Sequence, residues 1–122
     1  MASHDHKLTG EIDQFVAHMD RAITGGSVTA GLEGAADRRL GDARMVVRVY
    51  ERYSAIGGNR LSLTIAVLGR GEQLEVSAIT SGGSNALFWK INTWGEEAFL
   101  DRAINAIHSY PARTPQPPQT YA

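Results

Sequence analysis

Cysteine is absent from the 122 residues. That excludes disulfides, thiolate nucleophiles and thiolate-bound metals together. Lysine is almost missing: Lys7 and Lys90 stand beside ten arginines. Net charge is −1, so no overall field draws nucleic acid. No apolar run approaches the ~20 residues that span a bilayer, which speaks against a membrane protein. Met1–His6 lacks the apolar segment of a secretory signal, so the expected location is cytoplasmic. Proline is confined to Pro111, Pro115, Pro117 and Pro118. "PARTPQPPQTYA" has little apolar surface to bury, and residues 111–122 are expected to form a disordered tail. A single domain over residues 7–110 is left, long enough for one core without staples.

Signatures of chemistry are missing too. There is no Walker loop, no Gly-x-Ser-x-Gly elbow, no His-Glu-x-x-His and no paired-Asp calcium loop. Gly69-Arg70-Gly71 begins like a dinucleotide fingerprint but lacks the third glycine and sits between two strands. His4-Asp5-His6 offers two imidazoles without a fixed third ligand, on an end expected to be mobile. The expectation is no metal and no cofactor. His18 is expected on the surface, and His108 in the last turn of a helix, where the dipole favours a cation.

What is present is periodicity. Ile12, Phe15, Val16, Met19 and Ile23 follow one helical face. Gly25-Gly26 supplies a positive-φ stop. "HKLTG" before it suits a short edge strand. Val28, Ala30 and Leu32 alternate as a strand does, and "EGAADRRLGD" reads as a polar connection. In "ARMVVRVYERYS", Met45, Val47 and Val49 share one face, expected to meet the helices. Leu61, Leu63, Ile65 and Val67 alternate next, then Leu74, Val76 and Ala78. "AIGGNR" and "GRGE" supply the turns. "SNALFWKIN" is a fifth meander strand or a crossover. Thr93-Trp94-Gly95-Glu96 matches a capping box opening a last helix, with Phe99, Leu100, Ala103, Ile104 and Ile107 as its apolar face.

The order is (β)-α-β-β-β-β-(β)-α. The fold class is α+β: a two-layer sandwich in which a twisted antiparallel sheet of four to six strands carries both helices on one face. Its layout resembles the TATA-box-binding-protein-like and birch-allergen-like arrangements, a likeness of shape that implies no function. "RVYERYSAIGGNRLSL", "SAITSGGS" and "KINTWGEEAFLD" together resemble a family of small bacterial proteins known as a domain of unknown function. The resemblance covers most of residues 10 to 110 and implies a self-contained domain, with no activity, cofactor or site residue attached.

Two groups of residues are candidate sites. Arg44, Arg48, Tyr50 and Arg52 share a strand face, expected to point away from the helices with Ser62, Thr64, Glu75 and Ser77. Such a face suits self-association as a homodimer, or an anion or nucleic acid; the net charge and the single aromatic argue against nucleic acid. Strict alternation turns Glu51 inward, where burial would raise its pKa, unless a bulge near Tyr50 or the strand's end turns it out. Tyr53 would reach the same rim. Ser81, Gly82, Gly83, Ser84 and Asn85 have the materials of an anion-binding nest, or of a plain turn. The leading expectation is a non-enzymatic, self-associating domain able to take a small ligand. Its rivals are a small-molecule carrier or enzyme with a pocket between sheet and helices near Glu51, Tyr53 and the Ser81–Asn85 loop, and a binder of anions through the arginine stripe.

Overall fold

The computed structural model describes residues 1–25, 30–53, 60–82 and 89–111, the side chains of 89–94 excepted. Its first helix follows directly from the apolar spacing. Helix α1 (Ile12–Thr24) buries Phe15, Val16, Met19 and Ile23. Glu11 is its N-cap: the carboxylate accepts from the Asp13 and Gln14 backbone N–H groups, satisfying two donors the helix leaves open. Gly25 ends the helix at φ −86°, outside the left-handed region. Gly26 lies beyond the described residues.

Five strands form one antiparallel sheet: β1 (Ala2–Thr9), β2 (Gly31–Leu40), β3 (Ala43–Tyr53), β4 (Arg60–Arg70) and β5 (Gln73–Gly82). Their spatial order is β1-β5-β4-β3-β2. The meander β2-β3-β4-β5 is local. β1 closes the far edge against β5, with Ala2 opposite Thr80 and Thr9 opposite Gln73. Helix α2 (Trp89–Ser109) and α1 cover one face. The element order is thus β-α-β-β-β-β-α, an α+β sheet with two helices.

Several boundaries differ from the sequence reading. "GAADRRL" is not a connection but most of β2, an edge strand whose outer six residues are all exposed. Charge on an edge strand discourages pairing with a foreign strand. The turn after it is Gly41-Asp42, with Gly41 at φ 60°. The tight β4–β5 turn likewise holds Gly71 at φ 59°. Helix α2 starts at Trp89, so Thr93 lies inside it and the capping-box reading fails. The end expected to be mobile is strand from Ala2 on, held by the ladder to β5.

Phe15, Met19, Ile23, Tyr50, Leu61, Leu63, Ile65, Val67, Leu74, Val76 and Phe99 are almost wholly buried between the layers. Leu61 shows how close the approach is. A Cβ on Gly82 would collide with its Cδ2, and one on Gly95 of α2 would come within 2.8 Å of its Cδ1. Both positions are glycine because strand, leucine and helix backbone are in contact there.

Candidate functional site

Strand β3 faces the opposite way from the sequence expectation. Its even-numbered residues, not Met45, Val47 and Val49, meet the helices. Tyr50 is fully buried and Val46 nearly so, whereas Met45 is 39% exposed. The pairing explains this. Arg48 opposes Ile65, Tyr50 opposes Leu63 and Arg52 opposes Leu61, and residues directly opposite share a face. Ser62, Thr64, Glu75 and Ser77 therefore lie on the other face from the arginines.

The inward arginines are matched by acids from α1. Arg44 lies 2.8 Å from Asp13 and 2.7 Å from Asp37 of β2. Arg48 pairs with Asp20 at 3.4 Å, and the Tyr50 hydroxyl donates to the same carboxylate at 2.5 Å. Burial, then the Asp20 contact, push the Tyr50 phenol well above its ordinary value. The Arg44 guanidinium holds both Asp13 and Asp37 below the usual carboxylate range. Arg52 stacks over the Phe99 ring at 4.6 Å and donates to the Gly95 carbonyl at 3.1 Å. Burial, with Arg102 second, lowers its pKa. The stripe is an interlayer seam. The charge of Arg44 and Arg48 is used inside the fold, which removes the exposed anion surface that the stripe suggested.

Glu51 and Tyr53 fall on the outer face, both reaching Arg60. Arg60 Nη1 lies 3.3 Å from Glu51, and its Nε donates to the Tyr53 hydroxyl at 3.2 Å. Glu51 is thus neither inward nor beside a bulge of its own strand: the β3–β4 register is unbroken, and the bulge lies in β2 between Leu32 and Gly34. Ser81 points outward too, its hydroxyl 2.8 Å from that of Ser62. Gly82 faces inward against Leu61 and Glu96. Gly83, Ser84 and Asn85 lie outside the described residues. Glu51, Tyr53 and Ser81 therefore share the outer face rather than a sheet–helix cleft, and Gly82 stands apart from them.

Among the described residues, no helix covers that outer face. Its middle carries Ala36, Met45, Val47, Val49, Thr64, Ala66, Leu68 and Ile79, without a charge among them. Leu68 is 51% and Ile79 41% exposed. The margins bear both signs: Arg38, Glu51 with Arg60, and Lys7 with Glu75. At the end near Lys7, Leu68, Arg70 and Gln73, the face dips into an open depression of about 590 Å³.

A second grouping lies at the other edge, on the helix side. Inward-facing positions of β1 are Ala2, His4, His6 and Leu8, opposite Thr80, Ala78, Val76 and Leu74. The last turn of α2 lays His108 across them. Ring centroids stand 6.0 Å apart for His4–His6, 5.2 Å for His6–His108 and 6.3 Å for His4–His108. One ring nitrogen from each comes within 4.8 Å of the others. His4 Nε2 is buried and has no hydrogen-bond partner among the described residues. Burial first, then the neighbouring His108 and His4, lower the His6 pKa. The spacing His4-x-His6 was the signal in the sequence; the third member lies 102 positions further on and is reached only through the fold. His18, expected on the surface, is half-buried. Its Nε2 lies 2.7 Å from the Ala106 carbonyl and 3.1 Å from Ser109 Oγ, tying α1 to α2.

A sheet with one helix-covered face, one bare apolar face and a polar seam between its layers defines a two-layer α+β domain. The chain belongs to DUF6054, a family of unknown function, whose model matches residues 1–111. No curated protein matches it.

Proposed function

We propose that this protein is a non-enzymatic domain that works as a homodimer joined through its outer sheet face. The bare apolar middle of that face carries the reading. Contiguous apolar surface rimmed by polar groups is characteristic of an interface. A second copy fits better than a nucleic acid, because an uncharged centre with both signs at the rim is complementary to itself. Size supports the same reading. Strands ~4.8 Å apart, rising ~3.4 Å per residue, give the five-stranded face roughly 600–800 Å². A standard interface uses ~800 Å² per partner.

The open depression by Arg70 and Gln73 lies at the end of this face and offers a small molecule room beside the dimer contact. Light scattering at micromolar concentration tests the main claim. The expected mass is twice that of the chain, falling to one chain mass in Val47→Lys or Ala66→Lys with the circular dichroism unchanged. A monomeric native protein, or a dimer that survives both substitutions, overturns it.

A further inference from the structure

We propose that His4, His6 and His108 form a binding site for a divalent transition metal ion of the zinc class. The placement is built by the fold at three levels. Strand alternation turns both β1 histidines to one side. The β1–β5 ladder holds that side against the helix layer, with Leu8 packed into the core to fix the phase. The last turn of α2 then supplies the third ring. The nitrogens lie within 4.8 Å of one another. A tetrahedral ion with metal–nitrogen bonds of ~2.0–2.1 Å needs its ligands ~3.4 Å apart, so closing the site takes side-chain shifts of about an ångström and no change of fold.

The bare clustering of three imidazoles is costly and unexplained by packing alone. His4 Nε2 is buried with no hydrogen-bond partner among the described residues, an unfavourable condition when left unmet. A metal ion would satisfy it. Asp5, between the two β1 ligands, points to the opposite face and accepts from the Ser77 hydroxyl, so the donor set is imidazole alone. The C-terminal end of α2, where the helix dipole is negative, suits a cation.

The donor set selects the ion. Three neutral imidazoles without thiolate suit zinc, and cobalt in its place, over calcium or magnesium, which demand oxygen. Three protein ligands leave the fourth position open to water or to an anionic ligand. His108 is exposed and His4 and His6 are half-buried, so the ion has a path in from solvent.

The test uses the untagged full chain, stripped with chelator and titrated with Co2+ and then Zn2+. Expected are one equivalent of Co2+ bound with the visible absorption of a tetrahedral nitrogen-ligated ion, its displacement by Zn2+, and a melting temperature that rises with metal concentration. His6→Ala and His108→Ala should each weaken binding beyond the ~10–100-fold typical of outer-shell changes. Asp42→Asn, in the β2–β3 turn at the opposite edge of the sheet from β1, should leave the affinity unchanged. His108→Ala sits at an exposed position and should keep the fold. Affinity retained in His108→Ala would assign the ion to β1 alone and overturn the proposal. So would the absence of binding by the native chain, or octahedral Co2+ absorption.

Discussion

The two faces of one sheet differ in where their charge goes. The inner face carries Arg44, Arg48 and Arg52 and is covered; the outer face carries Met45, Val47 and Val49 and is bare. On β3 taken alone, hydrophobicity would reverse the two; on β4 and β5, Leu61, Leu63, Ile65, Val67, Leu74 and Val76 all lie inward. The inner face is covered over its apolar β4 and β5 residues, and α1 matches the arginines there, presenting Asp13 and Asp20, two helical turns apart, to Arg44 and Arg48, two steps of the strand repeat apart. Val46, between them, and Tyr50, beyond Arg48, complete a core with Leu63, Ile65 and Phe15. A covered face can therefore be partly ionic when its partner layer supplies the opposite charges, and an apolar face can stay open when no helix is left to cover it.

Substitutions can test this contrast, starting with the largest effect. Leu63→Ala, in the middle of the covered face, should cost about 2–5 kcal/mol in denaturant unfolding, whereas Val47→Ala on the outer face, in the monomer, should cost well under half of that. A smaller but diagnostic loss is expected from Asp20→Ala. It strands the Tyr50 hydroxyl and Arg48, and about 2 kcal/mol should be lost. Tyr50→Phe in the Asp20→Ala background should then add little, because both lose the same contact; fully additive losses in the double-mutant cycle would mean that the bond does not couple the layers.

Acid should weaken the seam. The Arg44 guanidinium holds Asp13 and Asp37 below the ordinary carboxylate range. Carboxylates depressed in the folded state contribute stability that is present above the unfolded value and lost as pH falls through the lower folded value. Unfolding midpoints should therefore drop below about pH 4, and Arg44→Met should flatten that part of the profile. An unchanged profile would show that the pairs contribute nothing. The smallest effect is expected from Met45→Thr: monomer stability should move by no more than about 0.5 kcal/mol, while the dimer weakens measurably in sedimentation.

Much of this fold was legible. The face of α1 was written in Phe15, Val16, Met19 and Ile23, and β4 and β5 in their alternation, because a period of 3.6 or 2 needs no knowledge of the neighbours. The phase of β3 was hidden by its own composition, since both of its faces hold valines. The loops held the missing clue. Two residues separate Leu40 from Ala43 and Arg70 from Gln73, and six separate Tyr53 from Arg60. An even-numbered connection pairs an even position with an odd one. Once Leu61 to Val67 are set inward, the even residues of β3 must be inward as well. The strand in "EGAADRRL" was illegible for a different reason: an edge strand needs polar side chains that resemble a loop's.

The sequence by itself determined the element types, the antiparallel meander, the core of α1 and β4–β5, and the absence of thiol chemistry, all of which depend on local spacing or composition. Only the tertiary structure decided that Arg44 and Arg48 are matched on the inner face, because Asp13 and Asp20 of α1 reach them there. It also decided that His108 meets His4 and His6, because a strand pairing and a helix end join residues about a hundred positions apart. Local periodicity can orient a side chain, but only packing of one element on another can say what it faces.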